Sequence, residues 1–99
     1  MSEEIRAVTH ITVKPGLEAE FIPAFAERFI APTLKEPGCL AFELHQVLGS
    51  PCEFIIFHRW ETREHLDNHL NTRHFLAIAG DLDHYLASLP ILSLVKHLA

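Results

Sequence analysis

The chain has 99 residues, a formal charge of −5 and 48% hydrophobic side chains, enough for one domain and too few for two. Its eight lysines and arginines are scattered, which argues against nucleic acid, whose phosphate backbone asks for clustered cations. No apolar run approaches the ~20 residues that span a bilayer, and the acidic opening Met1-Ser2-Glu3-Glu4 lacks a secretory layout; a cytoplasmic protein without membrane contact is expected.

The punctuation at Pro15-Gly16, Pro37-Gly38, Gly49-Ser50-Pro51, Thr62 and Pro90 cuts the chain into six pieces. Ile5 to Val13 alternates, with Ile5, Ala7, Thr9, Ile11 and Val13 on one side, and its β-branched content makes it a strand. Leu17 to Lys35 changes period: Leu17, Phe21, Ala24, Phe25 and Phe29 form a helical stripe. Pro23 inside it predicts a short first turn or a bend, and Pro37-Gly38 stops it. Cys39 to Leu48 and Glu53 to Glu61 are two strands joined by a tight Gly-Ser-Pro connection, a hairpin. On the first of them Leu40, Phe42 and Leu44 should share a face. Thr62 predicts the N-cap of a second helical region, restarted at Thr72, whose stripe carries Leu66, His69, Leu70, Phe75, Ile78, Ala79, Leu82 and Leu86. Ile91 to Leu98 closes the chain as a strand.

The order βαββαβ predicts an α+β, ferredoxin-like fold, with a four-stranded antiparallel sheet and two helical regions on one face. Such a sheet should be polar on its uncovered side. Yet Phe54, Ile55, Ile56 and Phe57 are apolar on both sides of the third strand, as are Ile91, Leu92, Leu94 and Val95 on the last. A second copy packed sheet to sheet, a dimeric α+β barrel, is the simplest cover. Cys39 and Cys52 lie strand-lengths apart on the hairpin and should be free thiols.

Three segments carry a resemblance. Glu36-Pro37-Gly38-Cys39-Leu40-Ala41-Phe42-Glu43-Leu44, Phe57-His58-Arg59-Trp60-Glu61, and Glu64 to Phe75 with its Asn71-Thr72-Arg73-His74-Phe75 end resemble the antibiotic biosynthesis monooxygenase family, and Val13-Lys14-Pro15-Gly16 extends the match over nearly the whole chain. The resemblance implies a homodimeric barrel that oxidises a small phenolic or quinol-like molecule with molecular oxygen, without flavin or metal, in a pocket between sheet and helices. No cofactor is expected, and the sequence has no glycine-rich phosphate loop or redox cysteine pair. One branch of the family degrades haem with an Asn, a Trp and a His at positions that fall here on Thr9, His69 and Ala79; alanine cannot bind iron, so that activity is not expected.

Eight histidines in 99 residues is an enrichment in the side chain that exchanges protons near neutral pH. His69 and His74 are the candidate general bases, because an imidazole can take a phenolic proton. Trp60 and His58 share a strand face and, with Phe42, Phe75 and Ile78, are the candidate substrate-binding residues. Helix capping, hydrogen bonding and core packing would explain the same side chains. His65 and His69 have the four-residue step of a zinc pair, but no supporting glutamate follows the HExxH pattern, so no metal site is expected. The rival functions are a small-ligand-binding or stress-related barrel and a cofactor-free isomerase, since a fold alone does not decide chemistry.

Overall fold

The computed structural model describes residues 4–99; the first three residues of the acidic opening lie outside them. The elements are β1 (Ile5–Thr12), α1 (Glu18–Phe25), a π-helical turn (Ala26–Ile30), α2 (Ala31–Thr33), β2 (Cys39–Gln46), β3 (Glu53–Trp60), α3 (Arg63–His69), α4 (Arg73–Tyr85) and β4 (Ile91–Val95). The strands form one antiparallel sheet in the order β2-β3-β1-β4. This is the expected ferredoxin-like fold, with the second helical region divided into α3 and α4.

Strand alternation is cleanest on β3, where Phe54, Ile56, His58 and Trp60 are buried and the residues between them are not. Register carries that face across the sheet: Ala7 of β1 and Phe42 of β2 both lie opposite His58. On β2 the alternation slips. Cys39 faces Trp60 and Ala41 faces Arg59, so Leu40 is the extra residue of a bulge. Leu40 is therefore exposed and does not share the inner face with Phe42 and Leu44, as plain alternation predicts.

The first helical segment runs through Pro23 without a break. Its irregularity falls one turn later, where the Ala31 N–H closes on the Ala26 carbonyl, five residues back. Pro32 has no N–H to return to Arg28, so the ordinary four-residue ladder is already interrupted there. Phe21, Phe25 and Phe29 remain a buried file down the segment, with successive ring centroids 5.2 and 5.1 Å apart. At its end Phe29 meets Phe42 of the sheet edge-on at 5.2 Å.

Thr62 and Thr72 cap α3 and α4 as expected: their hydroxyl oxygens accept from the N–H groups of His65 and Phe75, both at 3.3 Å. Thr72 also donates its hydroxyl to the His69 carbonyl at 2.7 Å, tying the end of α3 to the start of α4. Gly38 holds a φ of 80°, and a Cβ there would lie 2.2 Å from the His65 ring. The turn before β2 and the start of α3 thus fit together only with glycine at that point.

The uncovered side of the sheet is mixed. One row across it reads Glu43, Phe57, Val8, Ser93, and the next reads His45, Ile55, His10, Ile91. The oily residues expected on β3 do point outward, but charged and polar neighbours separate them. Edge strand β4 is exposed on both faces, with Leu92 and Leu94 retaining 56% and 45% of their surface although they face the helical side. Both cysteines are free. Among the described residues no helix is long and apolar enough to cross a membrane.

Candidate active site

Between the sheet and the helices lies a cavity of about 270 Å³. Thr9, Ile11, Phe42, Ile56 and His58 form its sheet wall, and Phe25, Phe29, Leu66, His69 and Phe75 its helical wall. Arg63 and Asp67 stand where α3 borders it, joined to each other at 3.2 Å, and Leu70, Leu82, Pro90 and the β4 residues Leu92 and Leu94 complete it. Apolar walls with a few convergent polar groups are the usual make-up of a small-molecule site.

His69 is the last residue of α3 and is 1% exposed. Its Nδ1 lies 2.8 Å from Oε2 of Glu36, a residue of the turn that leads into β2. His74, on the first turn of α4, brings its Nε2 to 2.6 Å from the same oxygen. The hydrogen-bond network assigns the tautomer: His69 donates through Nδ1–H to the carboxylate, which leaves Nε2 as the acceptor. His58 has the opposite arrangement. The Trp60 indole N–H donates to its Nδ1 at 2.7 Å, so the neutral ring carries its proton on Nε2. Among the described residues neither Nε2 has another hydrogen-bond partner.

The ring centroids of His58 and His69 are 6.1 Å apart. Both rings line the apolar enclosure, one with an unpaired acceptor nitrogen and the other with an unpaired N–H. Burial is the main cause that disfavours the charged form of both rings. It pushes His58 down to about 4, assisted by repulsion from His69. It also lowers His69, against the upward pull of the Glu36 carboxylate, with His74 adding to the lowering. Aromatic rings hold the pair in place: Trp60 lies 4.8 Å from His69, Phe42 4.7 Å from His58, and Phe75 meets His69 edge-on at 5.3 Å.

Of the residues singled out from sequence, His69, His58, Phe42 and Phe75 line the cavity together. His74 does not reach it and instead holds Glu36 from the solvent side. Trp60, fully buried, stands behind the two histidines as a hydrogen-bond donor and is not part of the wall. Ile78 is packed in the core, also off the cavity. His65 does not pair with His69: its Nδ1 lies 2.8 Å from the Thr62 hydroxyl. Of the three positions that would serve haem, Thr9 and His69 line the cavity, whereas Ala79 lies outside it and offers no ligand atom.

Glu36 is the residue that sequence reasoning missed. Its signal was present as the first residue of the Glu-Pro-Gly segment, but 33 positions separate it from His69. A carboxylate before a turn is unremarkable until the fold brings it to a buried ring.

These features define a small α+β domain of the ferredoxin-like kind, with an open four-stranded sheet and a histidine-bearing cavity. The sequence profile of that class described as antibiotic biosynthesis monooxygenase matches residues 4–81, and the chain belongs to this family. The fold of a solved Pseudomonas aeruginosa protein, PA3566, is similar at a TM-score of 0.88 and 27% identity, covering 100% of this chain and 98% of that one. A conserved Methanosarcina mazei protein gives 0.88 and 29%, covering 94% and 91%. A solved antibiotic biosynthesis monooxygenase gives 0.87 at 23% identity, covering 96% and 99%, a likeness of fold. The uncharacterised Synechocystis protein sll1783 is 36% identical over 66 residues, 67% of this chain. The match spans 44% of that relative's length.

Proposed function

We propose that the protein is a monooxygenase that oxidises a small phenolic or quinol-like molecule with molecular oxygen, using His69 as general base. The observation that carries this reading is the His69–Glu36 contact, which commits Nδ1 to the carboxylate and leaves a lone pair free on Nε2 of a ring that lines the apolar cavity. Nε2 removes the hydroxyl proton, and the Glu36 carboxylate stabilises the imidazolium that results. The N–H on Nε2 of His58 donates to the phenolate as its charge develops. The electron-rich anion then reduces oxygen itself. The radical pair recombines at a ring carbon, and the hydroperoxide loses water, so one oxygen atom stays on the ring as a quinone carbonyl. The substrate supplies all four electrons and no external reductant is needed. Apolar walls keep water away from these intermediates.

The family membership and the base–donor pair both support this reading. Oxygen uptake with a panel of one- to three-ring hydroxyarenes tests it, with label from heavy oxygen expected in the product. His69→Ala should lower turnover by roughly 10²–10⁴-fold, the usual contribution of a general base. Turnover unaffected by that change, or product formed under anaerobic conditions as an isomerase would form it, would overturn the assignment.

The reading includes a homodimer. The β4 edge is apolar and uncovered on both faces, and its inward leucines border the cavity, so a second copy over this edge would dry the site. Sedimentation velocity should report two chains per particle; a stable monomer would remove this element.

A further inference from the structure

We propose that Glu36, His69 and His74 form a site for a divalent transition ion of the zinc, cobalt or nickel class, and that filling it disables His69 as a base. The second half of this rests on the function proposed above; the first half does not. Glu36 Oε2, His69 Nδ1 and His74 Nε2 lie within 4.8 Å of one another and come from three separate segments, the turn before β2, the end of α3 and the first turn of α4. Two imidazoles and one carboxylate suit borderline ions and are a poor match for magnesium or calcium. Other histidine–carboxylate pairs, His10 with Glu53 and His45 with Glu43, bring only two ligands each and sit on the exposed sheet surface.

Hydrogen bonds of 2.8 and 2.6 Å currently hold the three donor atoms together. Bonds of ~2.0–2.1 Å in a tetrahedral site would place the ligand atoms about 3.3 Å apart, so the Glu36 oxygen must part from the His69 and His74 nitrogens by about 0.5 and 0.7 Å. His69 is packed tightly and cannot supply that movement, but the His74 side chain is 21% exposed and can. His74 is partly exposed, so a solvent water would complete the coordination.

The consequence follows from the tautomer. An ion on Nδ1 replaces the proton there, and a neutral imidazole must then carry its one proton on Nε2. The proton that Nδ1 gives up reappears on the nitrogen assigned to the cavity. The acceptor becomes a donor, with no change in the ring's charge and no movement of the cavity walls.

The test uses the full chain freed of metal by a chelator and titrated with Co(II), read by its tetrahedral absorption, and with Zn(II), read by calorimetry. One ion per chain is expected. Glu36→Gln and His74→Leu should each weaken binding at least tenfold, His74→Gln should do the same without altering the fold, and His45→Gln should bind as the parent does. Binding only in the millimolar range, or equal binding by all variants, would overturn the site. If binding occurs but turnover of a hydroxyarene is unchanged at saturating zinc, the switch is overturned and the site stands. A metal-free chain that oxidises no substrate would count against the proposed function and leave the binding result intact.

Discussion

Two histidine–carboxylate pairs in this chain have the same 2.8 Å separation and different surroundings. His69 and Glu36 have side chains 1% and 11% exposed, whereas His45 and Glu43, on the uncovered sheet face, have 58% and 53%. In water such a pair is screened and contributes at most ~1 kcal/mol. Inside the domain the same contact selects one tautomer and leaves the other nitrogen free on a ring that lines the cavity. The distance is common to both, so it is burial that gives the inner pair its chemistry.

The largest effect expected from this contrast is a loss of stability in acid. His58 is held at about 4 in the folded chain, below its ordinary 6.5, because burial resists its charge. The unfolded chain takes up that proton first. Stability should thus be full above pH 6.5, fall as pH drops towards 4, and level off below; the total for this group is about 3 kcal/mol. Denaturant unfolding at several pH values in the presence of a chelator would show it, and a His58→Phe chain should lack this part of the slope. A pH-independent difference between the two chains would break the link between burial and charge.

A smaller effect is expected at Trp60. Trp60→Phe keeps most of the buried ring but removes the donor to His58 Nδ1, leaving a buried acceptor unpaired at a cost of ~1–3 kcal/mol. It also frees the His58 tautomer, so turnover should fall with little change in substrate affinity. An equal melting temperature for the two chains would assign Trp60 to packing alone. The smallest effect belongs to the outer pair: His45→Gln should change stability by less than ~0.5 kcal/mol, measured in the same denaturant series. A shift beyond 1 kcal/mol would mean that the outer face is covered, as a dimer contact would cover it.

Much of the fold was legible because local chemistry and tertiary structure agree. Thr62 and Thr72 cap the helices they announce, and β3 alternates through its full length. The departures arise where one inserted residue changes the phase. Leu40 adds a residue to β2 without disturbing the apparent alternation on either side. The π-helical turn is hidden because Phe21, Phe25 and Phe29 keep a four-residue step that an ordinary helix would share. Histidine enrichment pointed to His58, His69 and His74, but it could not separate their roles. That separation depends on Glu36 and Trp60, contacts made only when the β2 turn, β3 and the α3–α4 junction close on one another. Trp60 in particular reads as an aromatic wall, and only the folded arrangement turns its N–H onto His58.

The protonation pattern of His69 tests the buried pair most directly. Nitrogen-15 NMR of histidine-labelled, metal-free protein near neutral pH should find His69 with its proton on Nδ1 and a bare Nε2, and His58 with the reverse. A proton on Nε2 of His69, or rapid averaging between its two nitrogens, would contradict a carboxylate-fixed base facing the cavity.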